Sequence, residues 1–269
     1  MQGFALFWVY YEWGKECRRN SELHTADNDY RSSLLKQAAL RLREAGGVAL
    51  QISTFITEVG DLNPNRPIEA RASIFEALNK LCLAHAQEML IERAVRKGSS
   101  ETNIARLALG ISQKFASAYQ SVQEAGNVAP SVDVAFTDFM ALRSSVYRAI
   151  AYKYLARSAS AKVDAGAAVG FAQMGIKTLK EMYVDPEMDH TSMSMVEKSK
   201  TKQMVQLRDL YHRAKRDNET IHHEPVKGEE ELMRQIPNSV FLAKPVEWQL
   251  PKPSNHTFFE REDLIHEEF

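Results

Sequence analysis

Apolar residues recur at helical spacing along this chain until about residue 215. The pattern is clearest after Ser100, where Ile104, Leu107, Ala108, Ile111, Phe115, Ala118, Tyr119 and Val122 share one face. Gln113, Lys114, Ser117 and Gln120 fall opposite. Ser100 is placed to cap this helix, because the free N–H groups of a first turn need a side-chain oxygen as acceptor. Gly126 and Pro130 punctuate its end. The preceding segment, 68–97, carries two stripes: Ile74, Leu78 and Leu81 on one side, Phe75, Cys82, Ala86 and Met89 on another. A helix apolar on two sides lies between neighbours. The alanine-rich run 83–107 therefore predicts the centre of a closely packed helical array.

Further helices are predicted at 30–58, 132–157, 164–183 and 195–216. Phe136, Phe139, Met140, Tyr147, Ile150 and Tyr154 line one side of the second of these. Its successor carries Ala165, Ala168, Phe171, Gly175, Ile176 and Leu179. Small residues facing aromatics predict an antiparallel hairpin of the tetratricopeptide kind, although no strict 34-residue period is visible. The opening run, 4–11, is apolar but far short of the roughly 20 residues that span a bilayer. It also lacks a basic leader and a small-residue cleavage site. It reads as a buried helix.

Loops are predicted at 61–67 and 185–190. Past Glu219 the helical pattern stops, and five of the nine prolines follow. Residues 240–245 read as an extended strap over the helices. The fold class is all-α, with a helical domain over 1–250 and a disordered acidic tail over 251–269.

Composition changes this picture little. With 44% hydrophobic and 26% charged residues the chain is of ordinary globular type. Cys17 and Cys82 are too few for a disulfide framework, which favours a reducing, cytoplasmic setting. The net charge of -1 conceals an asymmetry. From Asp217 onward 12 acidic residues face 5 basic ones, a charge of -7, leaving +6 upstream. Spread over so long a stretch, that excess reads as a solvated exterior.

No catalytic, cofactor-binding or metal-binding set emerges. His222 and His223 are adjacent, and neighbours on an extended chain point opposite ways. His85, on the sandwiched helix, reads as a core histidine. Glu88 and Glu92 share a helix face without an H-E-x-x-H companion. Lys198, Lys200 and Lys202 form a basic run with no aromatic partner, so nucleic acid is not an expected ligand. The acidic-aromatic end His266-Glu267-Glu268-Phe269 resembles peptides read by microtubule-tip adaptors, but four residues arise easily by chance.

Two segments carry a family resemblance. One is Ala84-His85-Ala86-Gln87-Glu88 with Arg93-Ala94, a break at Gly98-Ser99-Ser100, then Ile104-Ala105-Arg106-Leu107. The other is Lys215-Arg216-Asp217-Asn218 with Ile221-His222-His223-Glu224-Pro225-Val226. A weaker match runs from Leu40 through Gly47-Val48. In this order they resemble the BRO domain family over about 4–245.

The resemblance implies a curved helical scaffold that recruits ESCRT-III in endosomal sorting, and no enzyme. It implies a groove that docks the amphipathic C-terminal helix of an ESCRT-III subunit. By position the groove residues are Leu90, Asn103 and Leu107. Asn103 departs from the family, whose members carry an aliphatic residue there. An unpartnered asparagine costs roughly 1–3 kcal/mol on burial. His223 takes a structural place in the strap. The resemblance further implies a strand hairpin and helices ahead of residue 1, so the chain is expected to lack the family's N-terminal third. The run 4–11 is then expected to expose an apolar patch. Membrane association is expected only through partners, with recruitment to endosomes. The alternative is a truncated or divergent helical-repeat module with a different protein partner.

Overall fold

The computed structural model describes residues 2–23, 28–60, 67, 70–126, 134–182 and 190–248. Eight α-helices occur among them: α1 (Gln2–Leu23), α2 (Asn28–Val59), α3 (Ala72–Arg96), α4 (Glu101–Gly126), α5 (Val134–Ala161), α6 (Ala165–Lys180), α7 (His190–Asp217) and α8 (Glu229–Gln235). No β-strand occurs among the described residues. Each helix from α1 to α6 packs on the next, and α7 lies against both α5 and α6. The all-α expectation holds, and most predicted helix ends fall within a few residues of the observed ones.

Burial follows the hydrophobic pattern. Ile104, Leu107, Ala108, Ile111, Phe115, Ala118 and Val122 of α4 are all buried in one core with Tyr147, Tyr154 and Phe171 from α5 and α6. Ser100 Oγ accepts the Asn103 N–H at 3.4 Å, the predicted cap. Helix α3 is enclosed on both sides, with Ala77, Cys82, Ala84, Ala86, Gln87 and Met89 fully covered between α2 and α4. The aromatic run in α1 divides. Phe7 is buried against Ala45, Val48, Ala49 and Cys82, while Trp8, Val9 and Trp13 stay exposed. Arg41 lies over the Trp13 ring, 3.7 Å from its centroid.

The C-terminal segment departs from expectation. It is not extended throughout: a π-helical turn (Asn218–His222) closes α7, and α8 follows. Glu229, Glu230 and Glu231 occupy the first turn of α8, where the helix dipole favours acids. Leu232 anchors it in the core at 1% exposure. His223 ends the π-helical turn in the left-handed region (φ 53°), its N–H donating to the Asn218 carbonyl at 2.7 Å. Buried Asn218 secures the turn by bonding both the N–H and the carbonyl of Glu224. Glu224 in turn accepts the Gly166 N–H at 2.9 Å, capping α6 together with Asp164.

The chain then crosses the array. Glycines mark its path: a β-carbon at Gly166, Gly170, Gly110 or Gly47 would collide with Pro225, Leu232, Val240 or Val246 respectively. The expected strap is therefore real, and it lies where two helices present bare backbone. The loops predicted at 61–67 and 185–190, Pro67 and His190 apart, and the tail at 251–269 lie outside the described residues.

Candidate docking surface on α3 and α4

Helices α3 and α4 are joined by a four-residue turn, with Gly98 in the left-handed region (φ 68°). Such a short link makes them antiparallel neighbours. Leu90 stands seven residues before Lys97 and Leu107 seven after Ser100, so they occupy about the same level of the hairpin. Leu90 is half-buried, Asn103 is exposed, and Leu107 is 8% exposed. Leu107 thus forms the floor under this stretch of α4, and Asn103 meets solvent one turn earlier.

Gln87 ties this level of the hairpin to the strap. Its Nε2 donates to the Leu107 carbonyl at 3.0 Å and the Val240 carbonyl at 2.8 Å. Its Oε1 accepts the Leu242 N–H at 2.7 Å. Two arginine clamps repeat on either side. Arg106 accepts the Val240 N–H on its carbonyl (2.9 Å) while its guanidinium donates to Asn238 (3.0 Å). Arg43 does the same with Val246 (3.1 Å) and Lys244 (2.7 Å). Each arginine precedes by four residues the glycine that lets the strap approach: Arg43 with Gly47, Arg106 with Gly110. This repeated R-x-x-x-G spacing was the available sequence signal for the clamp.

Beneath the surface lies a buried ion network centred on Glu88, 4% exposed. Arg18 of α1 reaches it at 2.8 Å, and Arg143 of α5 pairs with its other oxygen. His85 Nδ1 lies 3.3 Å away, and the Tyr147 hydroxyl donates to the same carboxylate. Burial alone would raise the Glu88 carboxyl, but Arg143, His85 and Arg18 outweigh it and hold it well below the usual range. Burial lowers His85, against the pull of Glu88. The ring packs against Phe115 and Phe139, which makes it the core histidine expected. Glu92, one turn on, pairs with Arg31 and Arg96. One carboxylate thus joins α1, α3 and α5. Sequence reasoning left Glu88 without a role because its partners are 70 and 55 residues away.

No group of three or more His, Cys, Asp or Glu side chains among the described residues could hold a metal ion. None of the described helices is long and apolar enough to cross a membrane.

The sequence matches the BRO1-like domain over residues 20–264. The chain belongs to that family. Solved BRO1 structures share its fold. ALIX in complex with the SIVmac239 PYKEVTEDL late domain superposes with a TM-score of 0.68 at 19% identity, covering 93% of this chain and 33% of ALIX. An ALIX BRO1–CHMP4C complex gives the same score and identity over 92% of this chain and 64% of that one. A Bro1 domain described as a basis for endosomal targeting also gives 0.68, at 15% identity over 91% and 62%. The chain thus spans from one third to somewhat under two thirds of these relatives. None of the curated proteins matches it as a relative.

Proposed function

We propose that this BRO1-like chain is a cytoplasmic adaptor that docks an amphipathic C-terminal helix of an ESCRT-III subunit in endosomal sorting, and performs no catalysis. Leu90, Asn103 and Leu107 form its contact surface on α3 and α4. The observation that carries the reading is the braced hairpin: Gln87 and the Arg106 clamp hold α3, α4 and the strap at the level of Leu90 and Leu107. A preorganised surface spends less binding energy on ordering itself. The likeness to an ALIX BRO1 domain solved with CHMP4C supports the choice of ligand. Membrane recruitment then comes through partners.

The test is a pull-down with the C-terminal helix of CHMP4C. Asn103→Arg changes an exposed side chain and should abolish retention while leaving the melting curve intact. Leu90→Asp, at a half-buried position, should do the same to retention, with a melting curve as its control. Leu107→Asp also disrupts the core and needs a melting control. Equal retention of wild type and of both the Asn103 and Leu90 variants counts against this surface.

A second reading is favoured by one residue. The amide of Asn103 stands exposed on the proposed surface, and covering it with an apolar helix costs roughly 1–3 kcal/mol without a partner. On that reading the chain is a divergent helical-repeat module with a different protein ligand. Asn103→Ile discriminates: a large gain in CHMP4C binding from an inactive wild type supports it, and strong wild-type binding excludes it.

A further inference from the structure

Helices α5 and α7 line an open recess, of about 720 Å³, that shares no residue with the α3–α4 surface. At its floor lies Lys153, 8% exposed. Its amine donates to Gln203 Oε1 at 2.7 Å and Gln206 Oε1 at 2.8 Å. Both acceptors are neutral, and no carboxylate pairs with this lysine among the described residues. The contrast with Glu88, whose buried charge meets two arginines, is sharp. Buried ammonium groups are costly unless an anion compensates them.

The walls add positive charge. Arg157, Lys202 and Arg213 line the recess with Lys153, against Asp209 and Asp217. Four cations and two anions leave a net charge of +2 among lining residues. Arg157 also reaches Glu101 at 2.7 Å, which reduces the balance to +1 when that neighbour is counted. Burial, and then Arg157 and Lys202, push the Lys153 amine down to about 8, against a smaller opposing effect of Glu101. The site is therefore a cationic cavity short of one counter-charge.

We infer that the α5–α7 recess binds the phosphate group of a phosphorylated protein segment, with Lys153 at the phosphate and Lys202 and Arg213 at the rim. A phosphate monoester brings about -1.5 to -2 charges and three strong acceptor oxygens, matching a lysine with neutral partners and cations around it. Length favours a polypeptide over a small ion. The lining runs along α7 from Lys202 to Asp217, about 22 Å at 1.5 Å per residue, which an extended segment of roughly seven residues spans. Leu210 and Ala214 supply an apolar wall for its side chains. A membrane surface, being flat, would not bring a headgroup down to a floor residue as buried as Lys153.

The test uses the whole chain and fluorescence anisotropy with a degenerate seven-residue phosphoserine peptide library, its unphosphorylated counterpart, inorganic phosphate as competitor, and vesicles containing phosphatidylinositol phosphate. Phosphorylated peptides should bind at least tenfold tighter than unphosphorylated ones. Lys153→Met and Lys202→Ser should each remove most of that preference. Lys202 is exposed, so its variant separates ligand contact from folding, and Lys153→Met should melt no lower than wild type. Equal binding of the two libraries overturns the proposal, as does unchanged binding by both variants. Full competition by inorganic phosphate at the peptide's own concentration would make this a small-anion site and overturn the segment reading. Binding to vesicles alone would also overturn it.

Discussion

Replacing Gln87 with leucine should loosen the C-terminal strap while leaving the helices folded. Leucine is of similar size, so the fully buried site stays filled. What disappears is a set of hydrogen bonds: to Leu107 at 3.0 Å, to Val240 at 2.8 Å and from Leu242 at 2.7 Å, with a longer one from Ala243 at 3.4 Å. A net contribution of about 1 kcal/mol for each of the three good bonds gives a loss of about 3 kcal/mol. At 1.4 kcal/mol per tenfold, local opening of the strap should rise by about two orders of magnitude. Hydrogen exchange followed by mass spectrometry reads this directly. Peptides covering 238–246 should exchange about a hundredfold faster, while those from the middle of α4 change little. An increase below threefold in the strap would refute the reasoning, leaving the two arginine clamps as sufficient. An equal increase in α4 would refute it too, because the strap would then not open independently of the core.

Three other outcomes follow from the same geometry. Glu88→Gln leaves the Arg143 guanidinium buried without its counter-ion and should cost about 3–5 kcal/mol at pH 7 by urea unfolding. Because the folded Glu88 carboxyl lies well below its ordinary value of 4.5, its contribution is present above that pH and lost as pH falls below it, so the variant should show a flatter acid limb. Lys153 behaves oppositely: its amine, lowered from 10.5 to about 8, makes the unfolded state bind more protons between those values. Wild type should therefore gain up to about 3 kcal/mol relative to Lys153→Met as pH rises from 8 to 10.5, measured as the difference between their urea midpoints. Gly110→Ala places a methyl against the Val240 carbonyl and should raise strap exchange much as Gln87→Leu does, even though alanine is the better helix former.

The helices were legible because their determinants are local. The stripe from Ile104 to Val122 identifies its own buried face, and the double stripe around Ile74–Met89 requires neighbours on two sides. Ser100 announces its cap within three residues. The helix α8 was missed although Glu229-Glu230-Glu231 precede Leu232 and Arg234 suits its last turn; seven residues give too short a pattern for periodicity to register. The family's motif residues were visible, while the reason for Gln87 and Glu88 within them was not.

The sequence alone determined an all-α chain with α3 at its centre, since period and side-chain size act between residues a few positions apart. Tertiary structure decided which charges meet: Arg18 and Arg143 converge on Glu88, whereas Lys153 receives only glutamines. It also decided that Gly47 and Gly110 lie beneath one strap some 130 or more residues downstream. Buried electrostatics and close backbone approach depend on distances in space, which separation along the chain does not encode.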